Sequence, residues 1–248
     1  MTEFVGKVVL ITGAGRGLGR EIALAFSSLG AVVAANDINP INLDETVAQI
    51  LQAGGNAKAY VFDVAKRMPI EGMLTQVLDH FGRIDILVNH ASVEPDASLL
   101  DMDEWEFHRT LDVNLGGPFF CMQQVGRVMR QQGDGVMVNI ISTPGKGLAP
   151  KGRAAHFASQ AGLLGLTREA AHELIAYNIR VNAVCTGSID MELFHAQDCG
   201  APSLHQWLES VPNVRLGDHP DLVGLVLFLC SKAVSSLTGQ ILSINLGK

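Results

Sequence analysis

Residues 7–19 read KVVLITGAGRGLG. The run KVVLIT at 7–12 is too short for a helix and is apolar on alternate and intervening positions alike. That is the composition of a strand buried on both faces of a parallel sheet. Thr12-Gly13-Ala14-Gly15-Arg16-Gly17-Leu18-Gly19 follows and leads into an amphipathic helical run over 18–29, where Ile22, Leu24, Ala25 and Phe26 are expected toward the sheet. Strand, glycine loop and helix N-terminus in succession gather free backbone N–H groups and the positive end of a helix dipole at one point. A pyrophosphate fits such a point.

Working outward, short β-branched runs alternate with longer amphipathic ones. Strands are expected at 31–36, 57–62, 84–88, 135–141, 179–184 and 240–245. Helices are expected at 42–53 (closed by Gly54-Gly55), 69–81, 103–132, 153–177 and 220–230. The long stretch 103–132 should break or bend near Gly116-Gly117-Pro118. Seven strands and six main helices in alternation predict an α/β fold: a doubly wound seven-stranded parallel sheet with helices on both faces. No linker or shift in composition divides the chain, so residues 1–248 read as one domain. Residues 187–218 are irregular and read as an excursion over the carboxyl edge of the sheet, where substrate would be covered. Met191, Leu193, Phe194, Trp207 and Leu208 suit either an apolar lining or ordinary packing.

The bulk properties narrow the function. Of 248 residues, 48% are hydrophobic, enough for a sizeable core. The net charge of −7 opposes a nucleic-acid partner, since phosphate binding needs a basic face. No apolar run is long enough to span a bilayer, and the N-terminal stretch does not read as a secretory leader. The four cysteines, Cys121, Cys185, Cys199 and Cys230, form no C-x-x-C pair and no zinc spacing. They read as reduced thiols of a cytoplasmic protein. His90 and His156 are expected to face one cleft, but two histidines without a third ligand make no metal site.

Asp37 ends the second strand at the distance from the glycine loop where a carboxylate can accept hydrogen bonds from the adenosine ribose hydroxyls. A carboxylate there repels a 2′-phosphate, which favours NAD over NADP. Arg16 argues the other way, but no basic residue follows Asp37. The plainer reading of Asp37 is a solvated strand end. Asp63-Val64, at the end of the third strand, suits an adenine contact or simply another strand-end carboxylate.

These residues carry a family resemblance. The glycine loop, Asp63-Val64, Asn89 after the fourth strand, Asn114 in LDVNL, Ser142 in VNIIS, the run AGLLGLTREAAHEL, IRVNAV and LTGQIL resemble the short-chain dehydrogenase/reductase family, in order and over essentially the whole chain. The resemblance implies a Rossmann-type dinucleotide fold. It places the cofactor on Gly13, Gly15, Arg16, Gly17, Leu18, Gly19, Asp37, Asp63, Val64 and Asn89, and on Gly187 and Ile189 after the sixth strand. It also implies a homodimer or homotetramer through 103–132 and 153–177, where Phe119, Phe120, Met122, Leu163 and Leu164 suit an interface or the core.

The family's catalytic set is a serine, a tyrosine, a lysine and an asparagine. Ser142 and Asn114 match. The family's Tyr-x-x-x-Lys-Ala-Gly is His156-Phe157-Ala158-Ser159-Gln160-Ala161-Gly162 here, so His156 stands for the tyrosine and Gln160 for the lysine. The chain's two tyrosines, Tyr60 and Tyr177, are not expected near the nicotinamide, and Lys146 and Lys151 read as surface-loop lysines. Other departures cluster at the same end: Asn89-His90-Ala91-Ser92 for the family's Asn-Asn-Ala-Gly, Thr186-Gly187 for Pro-Gly, and Asn245-Leu246-Gly247 for Asp-Gly-Gly. Three functions fit. One is an NAD-dependent oxidoreductase on a carbonyl or alcohol, with His156 as the acid and Ser142 beside it. Another is a nucleotide-binding member without turnover, acting as a sensor, scaffold or partner subunit. The third is a non-redox reaction using His156 as acid or base.

Overall fold

A computed structural model describes residues 3–142, 152–186 and 219–244. Seven parallel strands form one sheet in the order β3-β2-β1-β4-β5-β6-β7. They are β1 (Val8–Thr12), β2 (Val32–Asp37), β3 (Asn56–Val61), β4 (Ile86–Asn89), β5 (Gly135–Ser142), β6 (Ile179–Thr186) and β7 (Ile241–Ile244). The helices are α1 (Gly17–Ser28), α2 (Pro40–Gln52), α3 (Arg67–Phe81), α4 (Glu104–Leu111), α5 (Gly117–Gln132), α6 (Ala154–Leu174) and α7 (His219–Cys230). The doubly wound expectation holds, and the strand order reverses between β1 and β4. Ligands of such sheets bind in the crevice at that reversal, beyond the carboxyl ends of the strands.

Alternation along β1 shows how the two layers are glued. Val9 and Ile11 face one core with Ile22, Phe26, Leu43, Ile50 and Val226, from α1, α2 and α7. Val8 and Leu10 face the other with Ile70, Met73, Val77, Val125 and Met129, from α3 and α5. On α1 the fully buried apolar side chains are Ile22, Ala23 and Phe26, while Leu24 and Ala25 sit at the margin. The sequence pattern had placed Leu24 and Ala25 inward; the 3.6-residue repeat instead carries Ala23 under the sheet.

The 103–132 stretch is two helices joined by a wide π turn at Asp112–Gly116. The break thus falls just before the expected Gly116-Gly117-Pro118, and Pro118 sits in the first turn of α5, where its missing N–H costs nothing. Gly117 is needed for close approach, because a Cβ there would lie 3.0 Å from the Val64 carbonyl oxygen. Of the residues that suited either an interface or the core, Met122 and Leu163 are core, at 3% and 1% exposure, while Phe119 is 42% exposed. No described helix is long and apolar enough to cross a membrane.

Buried charge ties β1 to β4. Asp85 is 4% exposed and accepts from Lys7 Nζ at 2.8 Å, the Val8 backbone N–H at 2.9 Å and the Arg83 guanidinium. Burial alone would raise its carboxyl, but these donors outweigh burial and hold it below the ordinary carboxylate value. Asp85→Ala should therefore cost about 1–3 kcal/mol in urea unfolding, since it orphans a buried N–H, while the two cations are exposed enough to rehydrate. Asp85→Asn, which keeps an acceptor for Val8, should lose visibly less; equal losses would show that the Val8 bond contributes little.

Candidate active site at the carboxyl edge of the sheet

An open cleft of about 1040 Å³ runs along the carboxyl ends of the strands, from Asp37, Asn39 and Arg16 at one end to Ser142, Arg153, His156 and Gln160 at the other. At the first end the glycines are dictated by geometry. Gly13 (φ +69°) and Gly17 (φ +52°) lie in the left-handed region. A Cβ on Gly19 would strike the Gly13 carbonyl oxygen and come within 2.7 Å of His90 Nδ1. Above Gly17 a Cβ would meet nothing, so the loop is open toward the cleft. The N-cap Arg16 makes no side-chain capping bond, which leaves the first N–H groups of α1 available to an anion.

Asp37 Oδ2 accepts from Gly15 N–H and Oδ1 from Asn39 N–H, both at 2.9 Å. Each oxygen keeps lone pairs toward the cleft. Arg20 bonds the Gly15 and Asn42 carbonyl oxygens, Thr46 and Glu45, so it braces the loop from behind. Further along the wall Asp63 pairs with Arg109 at 2.8 Å and accepts from Ala65 N–H. Burial pushes its carboxyl up, but Arg109 and that N–H outweigh it and hold Asp63 below the ordinary value. Val64 lies beside it on the cleft wall, as do Gly13 and Leu18.

Asn89 is buried and does not line the cleft; its Nδ2 donates to Asn139 Oδ1 at 2.9 Å, tying β4 to β5. Next to it, the backbone N–H groups of His90 and Ala91 both donate to Thr12 Oγ1. His90 Nδ1 meets the Gly13 carbonyl oxygen at 3.1 Å. A carbonyl oxygen only accepts, so that nitrogen carries the proton.

At the far end, α6 and the π turn bring four side chains together. Asn114 Oδ1 accepts from Val93 N–H, and Asn114 Nδ2 donates to Val93 O, both at 2.8 Å. Its second N–H goes to Ser159 Oγ at 3.1 Å. Asn114 thus clamps a strand-like segment. His156 is 2% exposed, one side of its ring against that same segment: Nδ1 lies 3.3 Å from Val93 O. Nδ1 also lies 3.4 Å from Asn114 Nδ2, but both N–H groups of that amide already go to Val93 O and Ser159 Oγ, which favours Nδ1 donating to Val93 O and Nε2 carrying the lone pair. Nε2 has no hydrogen-bond partner among the described residues and lies 4.0 Å from Glu94 Oε1. Gln160, 3% exposed, accepts the Ser142 backbone N–H on its Oε1 at 2.9 Å.

Burial draws the His156 imidazole below its ordinary 6.5; Glu94 and the Val93 carbonyl pull it up, Arg153 pulls it down, and burial prevails. Gly187, Ile189, the departures Gly187 and Asn245-Leu246-Gly247, Cys199, Lys146 and Lys151, and the apolar residues between 191 and 208, lie outside the described residues. Tyr60 is buried in β3 with its hydroxyl on His80, and Tyr177 packs beneath Arg130, so neither tyrosine reaches the cleft. No group of three metal-ligating side chains occurs among the described residues.

Comparison with known proteins places this architecture. A family model described as enoyl-(acyl carrier protein) reductase matches residues 13–248. An uncharacterized oxidoreductase of Thermotoga maritima is 39% identical, over 99% of this chain and 98% of its own length. A 3-oxoacyl-[acyl-carrier-protein] reductase of the same organism is 37% identical over 98% and 97%. The chain belongs to the short-chain dehydrogenase/reductase family. Among solved short-chain dehydrogenases, an NAD⁺-bound xylitol dehydrogenase superposes with a TM-score of 0.91 at 33% identity, covering 99% of this chain and 100% of that one. A 7α-hydroxysteroid dehydrogenase complexed with NADH gives 0.89 at 32%, covering 99% and 95%. Dehydrogenases of this family use NAD(P).

Sequence reasoning missed two residues of this short-chain dehydrogenase site, Glu94 and Arg153, which both line the cleft beside His156. Arg153 had only the signal of a charge three residues before an unusual histidine, and Glu94, far upstream, had none. The depressed His156 value also fixes a sign. A folded-state value below the unfolded one means that the stability contributed by neutral His156 is complete above about pH 6.5 and is lost as the pH falls through the folded value. His156→Gln should therefore show a smaller fall in Tm than wild type between about pH 7 and about pH 5. Parallel curves would mean that His156 does not titrate in this window.

Proposed function

We propose that this chain binds NAD(H) and oxidises an alcohol, or reduces the matching carbonyl, with His156 in place of the family phenol. The observation that carries the reading is the histidine's orientation. Nδ1 is committed to the Val93 carbonyl, which leaves Nε2 as an unprotonated acceptor in the cleft wall. The glycine loop and Asp37 support the dinucleotide, and Asp37 supports NAD over NADP. Two other arginines of the cleft, Arg109 and Arg153, are already held by Asp63 and Glu94. Arg16, exposed on the loop, is the feature that would favour a 2′-phosphate.

The bound dinucleotide supplies a hydride acceptor or donor. In the oxidising direction the alcohol O–H gives its proton to His156 Nε2 as the hydride leaves the carbinol carbon, and the carbon–oxygen double bond forms. Ser142 lines the same cleft and would hold the substrate oxygen. Asn114 acts one layer back, fixing Val93 and through it the imidazole. A histidine held below its ordinary value is a competent base at neutral pH and a poor acid, so oxidation is the favoured direction. Residues 1–248 serve as one domain, and Phe119 on α5 suits contact with a second copy.

One observation favours a second reading, nucleotide binding without turnover. Gln160 brings no charge to the ribose of the nicotinamide, and its carbonyl is engaged by the Ser142 N–H. Calorimetric titration with NADH and NADPH comes first. NADH should bind more tightly than NADPH, and Asp37→Ala should weaken NADH by about 10- to 100-fold, the loss of hydrogen bonds to a charged group. No binding of either nucleotide would sink both readings.

An alcohol and ketone panel then separates them. Wild type should oxidise, with a rate that holds through the ordinary imidazole range and falls only at lower pH, where the depressed His156 takes up its proton, and His156→Gln should lose about 10²–10⁴ in rate. The paired change His156→Tyr with Gln160→Lys should shift the acid limb of that profile. A wild type that binds NADH yet turns over nothing, alongside an active double variant, would establish the second reading.

A further inference from the structure

The segment from Val93 to Ala97 forms one wall of the cleft and is fastened at three points. Asn114 takes both backbone groups of Val93. Arg153 Nη1 donates to the Glu94 backbone oxygen at 3.0 Å. The Ala97 N–H donates to Gly152 O at 3.1 Å, and Gly152 (φ +80°) packs so closely that a Cβ there would press on Asp96 and Ala97. On this rigid wall Glu94 Oε1 is shared. Arg153 Nη1 lies 3.3 Å from it and His156 Nε2 lies 4.0 Å from it.

Two polar atoms around that carboxylate are left over. Arg153, whose side chain is nine-tenths buried, has an Nε–H without an acceptor among the described residues, and His156 Nε2 has no donor. Both atoms are shut off from water, and both side chains line the cleft. A buried unmade donor and a buried unmade acceptor on neighbouring side chains are costly features for a fold to keep unless a ligand satisfies them.

The charge balance says which ligand. Arg153 is already neutralised by Glu94, so a substrate carboxylate or phosphate arriving at the guanidinium would have to face the Glu94 carboxylate as well. A hydroxyl does not meet that repulsion, and it accepts from one neighbour while donating to another. We propose that Glu94 and Arg153 form a specificity subsite for an uncharged substrate bearing a second hydroxyl next to the reacting one, a polyol or its keto form, and that Glu94 excludes anionic substrates from it. The inference rests on the reading of the cleft as a dehydrogenase site. Arg153 Nε and His156 Nε2 are both closed to water, so each side chain must turn toward the substrate as it binds. The reacting hydroxyl then donates to His156 Nε2, and the adjacent hydroxyl accepts from Arg153 Nε–H and donates to Glu94.

The test uses three five-carbon probes that differ in this feature: xylitol, 2-pentanol and xylonate. Binding to the full-length protein is followed by ligand-observed NMR, with and without saturating NADH, so that the result does not depend on turnover. Xylitol should bind about tenfold or more tightly than either of the others, a ratio set by one or two buried polar groups being satisfied or not. Glu94→Gln, which removes the charge and keeps the shape, should raise xylonate affinity about tenfold by releasing the guanidinium. Arg153→Met should abolish the preference for xylitol over 2-pentanol. If that variant fails to fold, Glu94→Gln carries the test alone.

Xylonate binding wild type as well as xylitol does, or no change in xylonate affinity in Glu94→Gln, overturns the proposal. So does the absence of xylitol binding at its highest soluble concentration. If NADH still binds and simple alcohols are still oxidised in those cases, the dehydrogenase reading stands and only the subsite is wrong. If NADH binding fails as well, both fall together.

Discussion

Burial of β1 on both faces is the constraint from which the rest of the molecule is arranged. Val9 and Ile11 occupy one core, Val8 and Leu10 the other, and all four are fully or nearly fully buried. A strand so placed has no polar face, and its backbone groups must be satisfied by a neighbour on each side. β2 and β4 provide these, in parallel register from Val8 to Thr12 on one side and from Val9 to Thr12 on the other. The crossover out of β1 runs to β2 on one side, and the crossover out of β3 returns to β4 on the other. The gap between them opens at the carboxyl end, where Thr12, Gly13 and His90 meet. At the opposite, amino end of the sheet, buried charge enters only where it is answered, as at Asp85.

The cleft that results is two sites of different character under one roof. The adenosine end depends mostly on backbone: glycine conformations, unpaired N–H groups at the start of α1, and a carboxylate steadied by the Gly15 and Asn39 N–H groups. The far end depends on side chains: the Asn114 amide, the His156 imidazole and the Gln160 carboxamide, with the Arg153–Glu94 ion pair beside them. Asn114 links the two ends of this logic: the π turn that breaks the helix between α4 and α5 is also what aims its amide at Val93.

Much of this was legible in the sequence because it rests on short-range rules. A glycine loop between an apolar strand and an amphipathic helix has few structural solutions, and the alternation of runs fixed the parallel sheet. The helix ends were less legible. α2 begins at Pro40, capped by Asn39, and α3 begins at Arg67, each a turn or less earlier than its apolar pattern suggests. Pattern reading follows buried residues, while first turns are often exposed. The roles of Met122 and Leu163 could not be read either, since an apolar residue on a helix looks the same whether it meets the sheet or a partner. Glu94 and Arg153 were invisible for a different reason. They are 59 residues apart in the chain, and only the folded wall makes them neighbours.

The π turn at Asp112–Gly116 also constrains how the chain can change in length. It accommodates one more residue per turn than a regular helix, so deleting any single residue from it could restore an uninterrupted α4–α5 helix without breaking the backbone ladder. The flanking halves would then keep their relation. Winding all of these residues as a regular helix instead would rotate everything on one side by about 100° relative to the other. Either Asn114 would swing away from Val93, or Cys121, Met122, Val125 and Met129 would turn out of the core. The irregularity therefore acts as a phase correction between two halves that must each face inward, one for packing and one for the cleft. Insertions and deletions here are confined to those that preserve that phase, whatever happens to the residues themselves.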